Sequence, residues 1–240
     1  GACSTSGEAL ALASMSAAAG YGGTMIAVTS SHFGSAEKEF RFPLGYANQR
    51  PLSSHWTVTG SGAFLVQSAE EYRKQNTKSY FSNIRITGVT VGKIVDYGLK
   101  DSQNMGACMA PAAMDTIVQN FQDMERKEKD YDRIITGDLG SIGRTILFDL
   151  IREKGYDICE KHMDCGMTIF DKERQDTHAG GSGCGCAAVT LASYVLPKLE
   201  KGEWKRVLFV PTGALMSTVS FNEGASVPGI AHGIVLESDA

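Results

Sequence analysis

From Ala9 to Ala19 the chain reads ALALASMSAAA, apolar or small at every helical position, which predicts a helix buried on all sides rather than along one stripe. Thr5-Ser6-Gly7-Glu8 ahead of it has the Ser/Thr-x-x-Glu form of a capping box. Gly20-Tyr21-Gly22-Gly23 ends the helix, and a strand, Thr24 to Thr29, follows. The same succession returns later. Gly181-Ser182-Gly183-Cys184-Gly185-Cys186 leads into a second nearly all-apolar helix, Ala187 to Leu196, and then into a strand, Arg206 to Pro211. Leu12-Ala13-Ser14 recurs as Leu191-Ala192-Ser193, and the strand at Gly60 to Val66 has its counterpart at Ala231 to Leu236. Similar elements in the same order, twice, argue for a duplicated fold.

Between the copies the pattern alternates: strand Asn83 to Asp96, helix Gln103 to Lys127, strand Arg133 to Thr136, helix Gly143 to Glu153. Such alternation builds a largely parallel sheet with helices on its faces, an α/β fold. The second copy therefore has an opening that the first copy lacks. The expected division is residues 1–80 for the remainder of a first half and 81–240 for a complete second half, with the N-terminal part of the first half absent from this chain. Missing strands would leave a sheet edge unpaired, so a companion N-terminal segment is expected as a partner. The tract Met124 to Arg133, MERKEKDYDR, reads as a solvated helix end and turn.

Charge and composition narrow the function. A net charge of -4, with Lys and Arg scattered among acids, provides no field for a phosphate backbone, so nucleic acid is not expected as a partner. The longest apolar runs, such as Val207 to Val210, are too short to cross a bilayer. Six cysteines at irregular spacing fit a reducing interior better than a disulfide scaffold. Neither a dinucleotide glycine motif, a Walker lysine loop nor a Gly-x-Ser-x-Gly elbow is present, and no cofactor is expected.

Cys3 lies just ahead of a helix, where backbone N–H groups and the helix dipole lower a thiol's pKa and favour an anion. It reads as a nucleophile, as the lining of a carboxylate site, or as a small packing residue. His32 follows the strand after the first central helix, at the end where the crevice of an open parallel sheet lies. It is either a donor to a carboxylate or a satisfied strand-end histidine. His178 is a weaker candidate, and His55 and His232 carry no assigned role. Cys159-x-x-His162-x-x-Cys165 and Cys184-x-Cys186 contain zinc-ligand types, but not at the spacing of a paired-knuckle site, and no metal is expected. Phe33, Phe40, Phe42 and Tyr46 surround Arg41 in a loop through Pro51, long enough for a lid or dimer contact.

A cysteine at the front of a buried helix in a duplicated strand-helix fold resembles the thiolase superfamily, which includes the β-ketoacyl synthases. The resemblance implies a layered α-β-α-β-α fold and matches Cys3 to the acyl-accepting nucleophile. It also implies a histidine after the strand Arg133 to Thr136, where this chain has Gly137-Asp138-Leu139-Gly140. An asparagine is implied before the second central helix, where it has His178-Ala179-Gly180-Gly181-Ser182-Gly183-Cys184. A thiol lacking both partners suits binding better than condensation.

Thr29 to His32, Phe40 to Pro43, Thr57 to Gly62, Asp164 to Met167 and His178 to Cys186 are similar to the stage V sporulation branch of that superfamily. This implies a protein without catalysis that binds dipicolinic acid (pyridine-2,6-dicarboxylate) for uptake into the developing spore. It also implies a place beside membrane proteins of the same operon at the inner spore membrane, facing the forespore interior, and a homodimer. In such a site Ser4, Thr5 and Ser182 act as hydrogen-bond donors, Cys3 lines the floor and His32 closes one side. The alternative is an acyl-CoA-dependent condensing enzyme using Cys3 with an unusual base such as His178. A third reading is a scaffold for membrane partners.

Overall fold

The computed structural model describes residues 1–34, 51–74 and 83–239, so Phe40, Arg41, Phe42 and Tyr46 lie outside the described residues. A 3-10 turn, Ala2–Ser4, leads into α1 (Thr5–Ala18), β1 (Thr24–Ser31), β2 (His55–Thr57), β3 (Gly60–Gln67) and α2 (Ala69–Lys74). Then come β4 (Ile84–Thr90), α3 (Met105–Asp123), β5 (Arg133–Thr136), α4 (Gly140–Glu153), β6 (His162–Asp164), α5 (Cys165–Thr168) and α6 (Lys172–Gln175). The chain continues through β7 (Gly180–Ser182), α7 (Cys184–Thr190), a π-helical turn (Leu191–Val195), α8 (Leu196–Glu200) and β8 (Arg206–Val210). It finishes with β9 (Thr212–Ala214), α9 (Thr218–Asn222), β10 (Gly229–Ala231) and β11 (Gly233–Ser238).

Five strands form one sheet in the order β4-β11-β8-β5-β6. β5 runs parallel to both β6 and β8, and β11 is the reversed strand, antiparallel to β4 and β8. Strand alternation divides the core between the two faces. Leu208 and Val210 of β8 pack with Ile117, Phe121, Leu147 and Ile151 of α3 and α4. Val207 and Phe209 pack on the other face with Leu10 and Ala13 of α1 and with Ala187 and Leu191 at α7. The two central helices therefore lie under the sheet, as their all-apolar sequences require. Beyond them β1 and β3 form an antiparallel pair against α7, where a side chain at Gly62 would come within 2.9 Å of the Ala188 methyl group.

Three expectations are corrected. α1 is not buried on all sides, because the described residues cover one side of it only; Leu12 is 57% exposed while Leu10, Ala13 and Ala17 are buried. The capping box does not form, since the 3-10 turn winds directly into α1 and puts Thr5 inside the helix rather than at its cap. The Thr5 hydroxyl donates to the Ala2 carbonyl, and Glu8 lies 3.1 Å from the Gly1 amino group. Finally, the charged tract at 124–133 is not simply solvated. Tyr131 is fully buried and donates its hydroxyl to Asn120 Oδ1 at 2.7 Å, and Arg126 pairs with Glu237 at 3.0 Å.

The β1–β3 pair presents an apolar outer face, with Ile26 67%, Val28 58% and Leu65 52% exposed. In the larger sheet the equivalent strands β8 and β11 have further neighbours, β5 and β4, on their outer edges.

Candidate functional site at the fronts of the two central helices

Several local contacts bring the starts of α1 and α7 together. β2 and β7 pair in parallel, with Thr57 opposite Ser182, and the Val58 N–H donates to the Ser182 carbonyl at 2.8 Å. Ser31, at the end of β1, accepts from the Gly185 N–H at 2.8 Å and donates to the Val58 carbonyl at 2.6 Å. This hydroxyl satisfies one of the first-turn amides that a helix leaves without an internal partner. The front of α1 rests on Gly213 of β9, where a Cβ would lie 2.5 Å from the Gly1 carbonyl oxygen; only glycine fits that approach.

The result is a close meeting of side chains. Cys3 Sγ lies 3.9 Å from Ser182 Oγ, and Cys184 Sγ lies 3.1 Å from the Ala2 carbonyl oxygen and 3.9 Å from Thr5 Oγ1. Cys3 and Cys184 are partly accessible, whereas Ser182 is buried. Ser4 is also buried, and its hydroxyl donates to the Gly1 carbonyl at 2.6 Å. His32 stands one residue beyond Ser31, exposed, with Nδ1 accepting from the Gly34 N–H at 3.0 Å. Thus Cys3, Thr5 and Ser182 are brought together, the Ser4 hydroxyl turns to the main chain, and His32 borders the same end of α7.

Beneath this junction lies Asp138, immediately after β5. Its carboxylate accepts from the Thr212 hydroxyl at 2.8 Å and from the Gly183 N–H at 3.2 Å, fixing the turn that starts α7. A second buried carboxylate, Asp164, accepts from the Thr136 hydroxyl (2.7 Å) and from the amides of Leu139 (2.9 Å), Gly140 (3.2 Å) and Met167 (3.1 Å). Burial pushes Asp164 up to about 6 against those hydrogen bonds, and the charge of Asp138 adds to the rise. Cys186 and Cys165 are held as thiols well above their ordinary range, first by burial and then by the two aspartates.

The sequence profile of stage V sporulation protein AD matches residues 1–237. This chain belongs to that family. It is 44% identical over 237 residues to stage V sporulation protein AD of Bacillus subtilis (strain 168), covering 99% of this chain and 67% of that protein. The fold is thiolase-like. A tetronic acid condensing enzyme superposes with a TM-score of 0.60 at 13% identity, over 99% of this chain and 67% of its own. The 3-oxoacyl-(acyl carrier protein) synthase III of Pseudomonas aeruginosa superposes with a TM-score of 0.58 at 10% identity, over 100% of this chain and 65% of its own.

In this member of the sporulation family the remaining histidines are engaged elsewhere. His178 Nδ1–H donates to the Pro51 carbonyl at 2.9 Å, and its Nε2 lies 3.3 Å from Asp176. His55 Nε2–H donates to the Leu139 carbonyl at 3.1 Å, and His232 Nδ1 accepts from the Gly92 N–H at 3.2 Å. Cys159 accepts from Arg152 at 3.0 Å while Cys165 is buried, and among the described residues no three His, Cys, Asp or Glu side chains gather as metal ligands. No helix among the described residues is long and apolar enough to cross a membrane.

Sequence reasoning missed Ser31, Asp138, Cys184 and Thr212 as parts of this junction. A usable signal existed for Cys184: the repeat register that carries Leu12 onto Leu191 also carries Cys3 onto Ser182 and Thr5 onto Cys184.

Proposed function

We propose that this protein binds dipicolinic acid at the junction of α1 and α7 and serves its uptake into the spore, without catalysing a reaction. The observation that carries the reading is Asp138. By the resemblance the synthases place a histidine after this strand to stabilise a developing oxyanion. Here β5 runs into Gly137-Asp138-Leu139-Gly140, and the side chain that reaches the helix junction from this turn is a buried carboxylate, an acceptor rather than a donor. Membership of a sporulation family supports the biological setting. Cys3, Thr5 and Ser182 line the ligand's place, Ser4 shapes it through the α1 turn, and His32 borders it. Helix N-termini favour carboxylates at such a junction, and a flat diacid offers one to each helix.

The same reading makes the protein a homodimer that works peripherally at the inner spore membrane beside membrane proteins of its operon. The exposed face of Ile26, Val28 and Leu65 takes a companion N-terminal segment of the same protein.

The fold neighbours are condensing enzymes, which favours a second reading in which Cys3 accepts an acyl group. One experiment separates the two: the full-length protein is titrated calorimetrically with dipicolinate and, separately, incubated with a labelled acyl-CoA. Saturable dipicolinate binding with an unmodified Cys3 supports the proposal. Acylated Cys3 with turnover, and no heat from dipicolinate, replaces it with the condensing reading.

A further inference from the structure

A polar cleft, of about 390 Å3, opens beside β6, and of its lining residues only Asp164 also lies beneath the helix junction. Arg133, Arg144, His162, Tyr194 and Trp204 line it, with Glu160 exposed at its rim. Its chemistry follows from one hydrogen-bond chain. Thr136 Oγ1 lies 2.7 Å from Asp164 Oδ2 and 2.9 Å from His162 Nε2. The hydroxyl has one proton, which goes to the carboxylate, so His162 must donate from Nε2–H. Its Nδ1 is therefore a bare acceptor.

That Nδ1 is buried with no hydrogen-bond partner, and so is the Nε–H of Arg144, which can only donate. Both groups pack about Phe148: the His162 ring meets it edge-on at 5.2 Å, and the Arg144 guanidinium lies 5.9 Å from its centroid. An unsatisfied acceptor and an unsatisfied donor thus flank one aromatic ring, each costly to leave unmade. Arg133 lies 5.6 Å from the centroid of Trp204 on another wall. Neither arginine has a carboxylate ion pair among the described residues, and Asp164 is already occupied by its four donors. The missing partner must accept from a guanidinium and donate to an imidazole nitrogen.

We propose that this cleft binds a small oxyanion bearing a hydroxyl, with its oxyanion on Arg144 and Arg133 and its hydroxyl donated to His162 Nδ1. Monoprotonated phosphate and small hydroxycarboxylates share that chemistry. A guanidinium matches either oxyanion in two-point geometry.

The test is a titration of full-length protein, labelled with 15N-histidine, at pH 7 and constant ionic strength, using inorganic phosphate in one arm and glycolate in the other. A saturable upfield shift of His162 Nδ1 is expected in at least one arm, and the arm that saturates identifies the oxyanion. Arg144→Gln should weaken it at least tenfold and Arg133→Gln severalfold; should the first variant fail to fold, the second carries the test. Arg144→Lys, which keeps the charge but loses the Nε–H, should remain weakened. The proposal is overturned if neither arm shifts Nδ1, if sodium chloride produces the same shift, or if the arginine variants saturate with parental affinity.

Discussion

Cys3 Sγ faces Ser182 Oγ at 3.9 Å across 179 residues of chain, and Thr5 Oγ1 faces Cys184 Sγ at the same distance and the same separation. The offset also relates Leu12-Ala13-Ser14 to Leu191-Ala192-Ser193. Each contact therefore joins equivalent positions of the two halves, as a pseudo-two-fold axis between the central helices requires. A side chain enlarged on one helix front intrudes on its own counterpart.

The Tyr131 hydroxyl is the donor to buried Asn120 Oδ1, which also orients Asn120 Nδ2 toward the Thr90 hydroxyl at 2.9 Å. Tyr131→Phe leaves that acceptor unsatisfied and should cost about 1–3 kcal/mol. Urea unfolding should show a lower midpoint with an unchanged slope.

Gly106 of α3 and Gly143 of α4 meet so closely that a Cβ on Gly106 would stand 2.4 Å from the Leu139 carbonyl oxygen and 2.9 Å from the Gly143 nitrogen. Backbone atoms cannot move aside as a side-chain end can. Gly106→Ala should force the helices apart at a cost of about 1–3 kcal/mol, overriding alanine's better helix propensity. Thermal unfolding with both single variants, Gly106→Ala and Gly143→Ala, checks the pair.

Burial, with Arg144 nearby, lowers His162 to about 3 from an ordinary 6.5. The unfolded chain then takes up this proton first as pH falls, so the contribution of neutral His162 is complete above 6.5 and is lost toward pH 3. Asp164 has the opposite sign: raised to about 6, it contributes fully below its ordinary 3.8 and loses that contribution as pH rises through 6. The two slopes oppose each other between about pH 4 and 6. In His162→Gln only the Asp164 slope is left, so the variant should become less stable as pH rises through that window, relative to the parent. Chemical unfolding of both proteins at several pH values reads the difference, with a slope of about 1.4 kcal/mol per pH unit as the upper bound.

Much of this architecture was legible in the chain. The two central helices read as apolar because both pack under the sheet, α7 also against the β1–β3 pair, and β5 and β8 read as strands because Ile134, Ile135 and the run Val207 to Val210 are buried on both faces. Repeat order gave the duplicated halves of the thiolase-like fold. Other features depend on tertiary partners. Thr5-Ser6-Gly7-Glu8 has the right residues for a cap, but the preceding 3-10 turn decides otherwise. Tyr131 sits in a charged tract and is buried only because Asn120 supplies its hydroxyl's partner. Of the candidate site, the Cys3–Ser182 meeting was encoded in the repeat register, whereas the role of Asp138 required β9 to bring Thr212 across from another part of the chain.

The most direct measurement of the central claim is calorimetric titration of dipicolinate into full-length protein carrying Cys3→Phe, compared with the parent. A phenyl ring at this partly accessible position fills the space in front of Ser182 without replacing a fully buried side chain. The account predicts saturable binding to the parent and loss of at least tenfold in affinity in the variant, titrated at a temperature where circular dichroism shows both proteins folded. Parental affinity in the variant would contradict it.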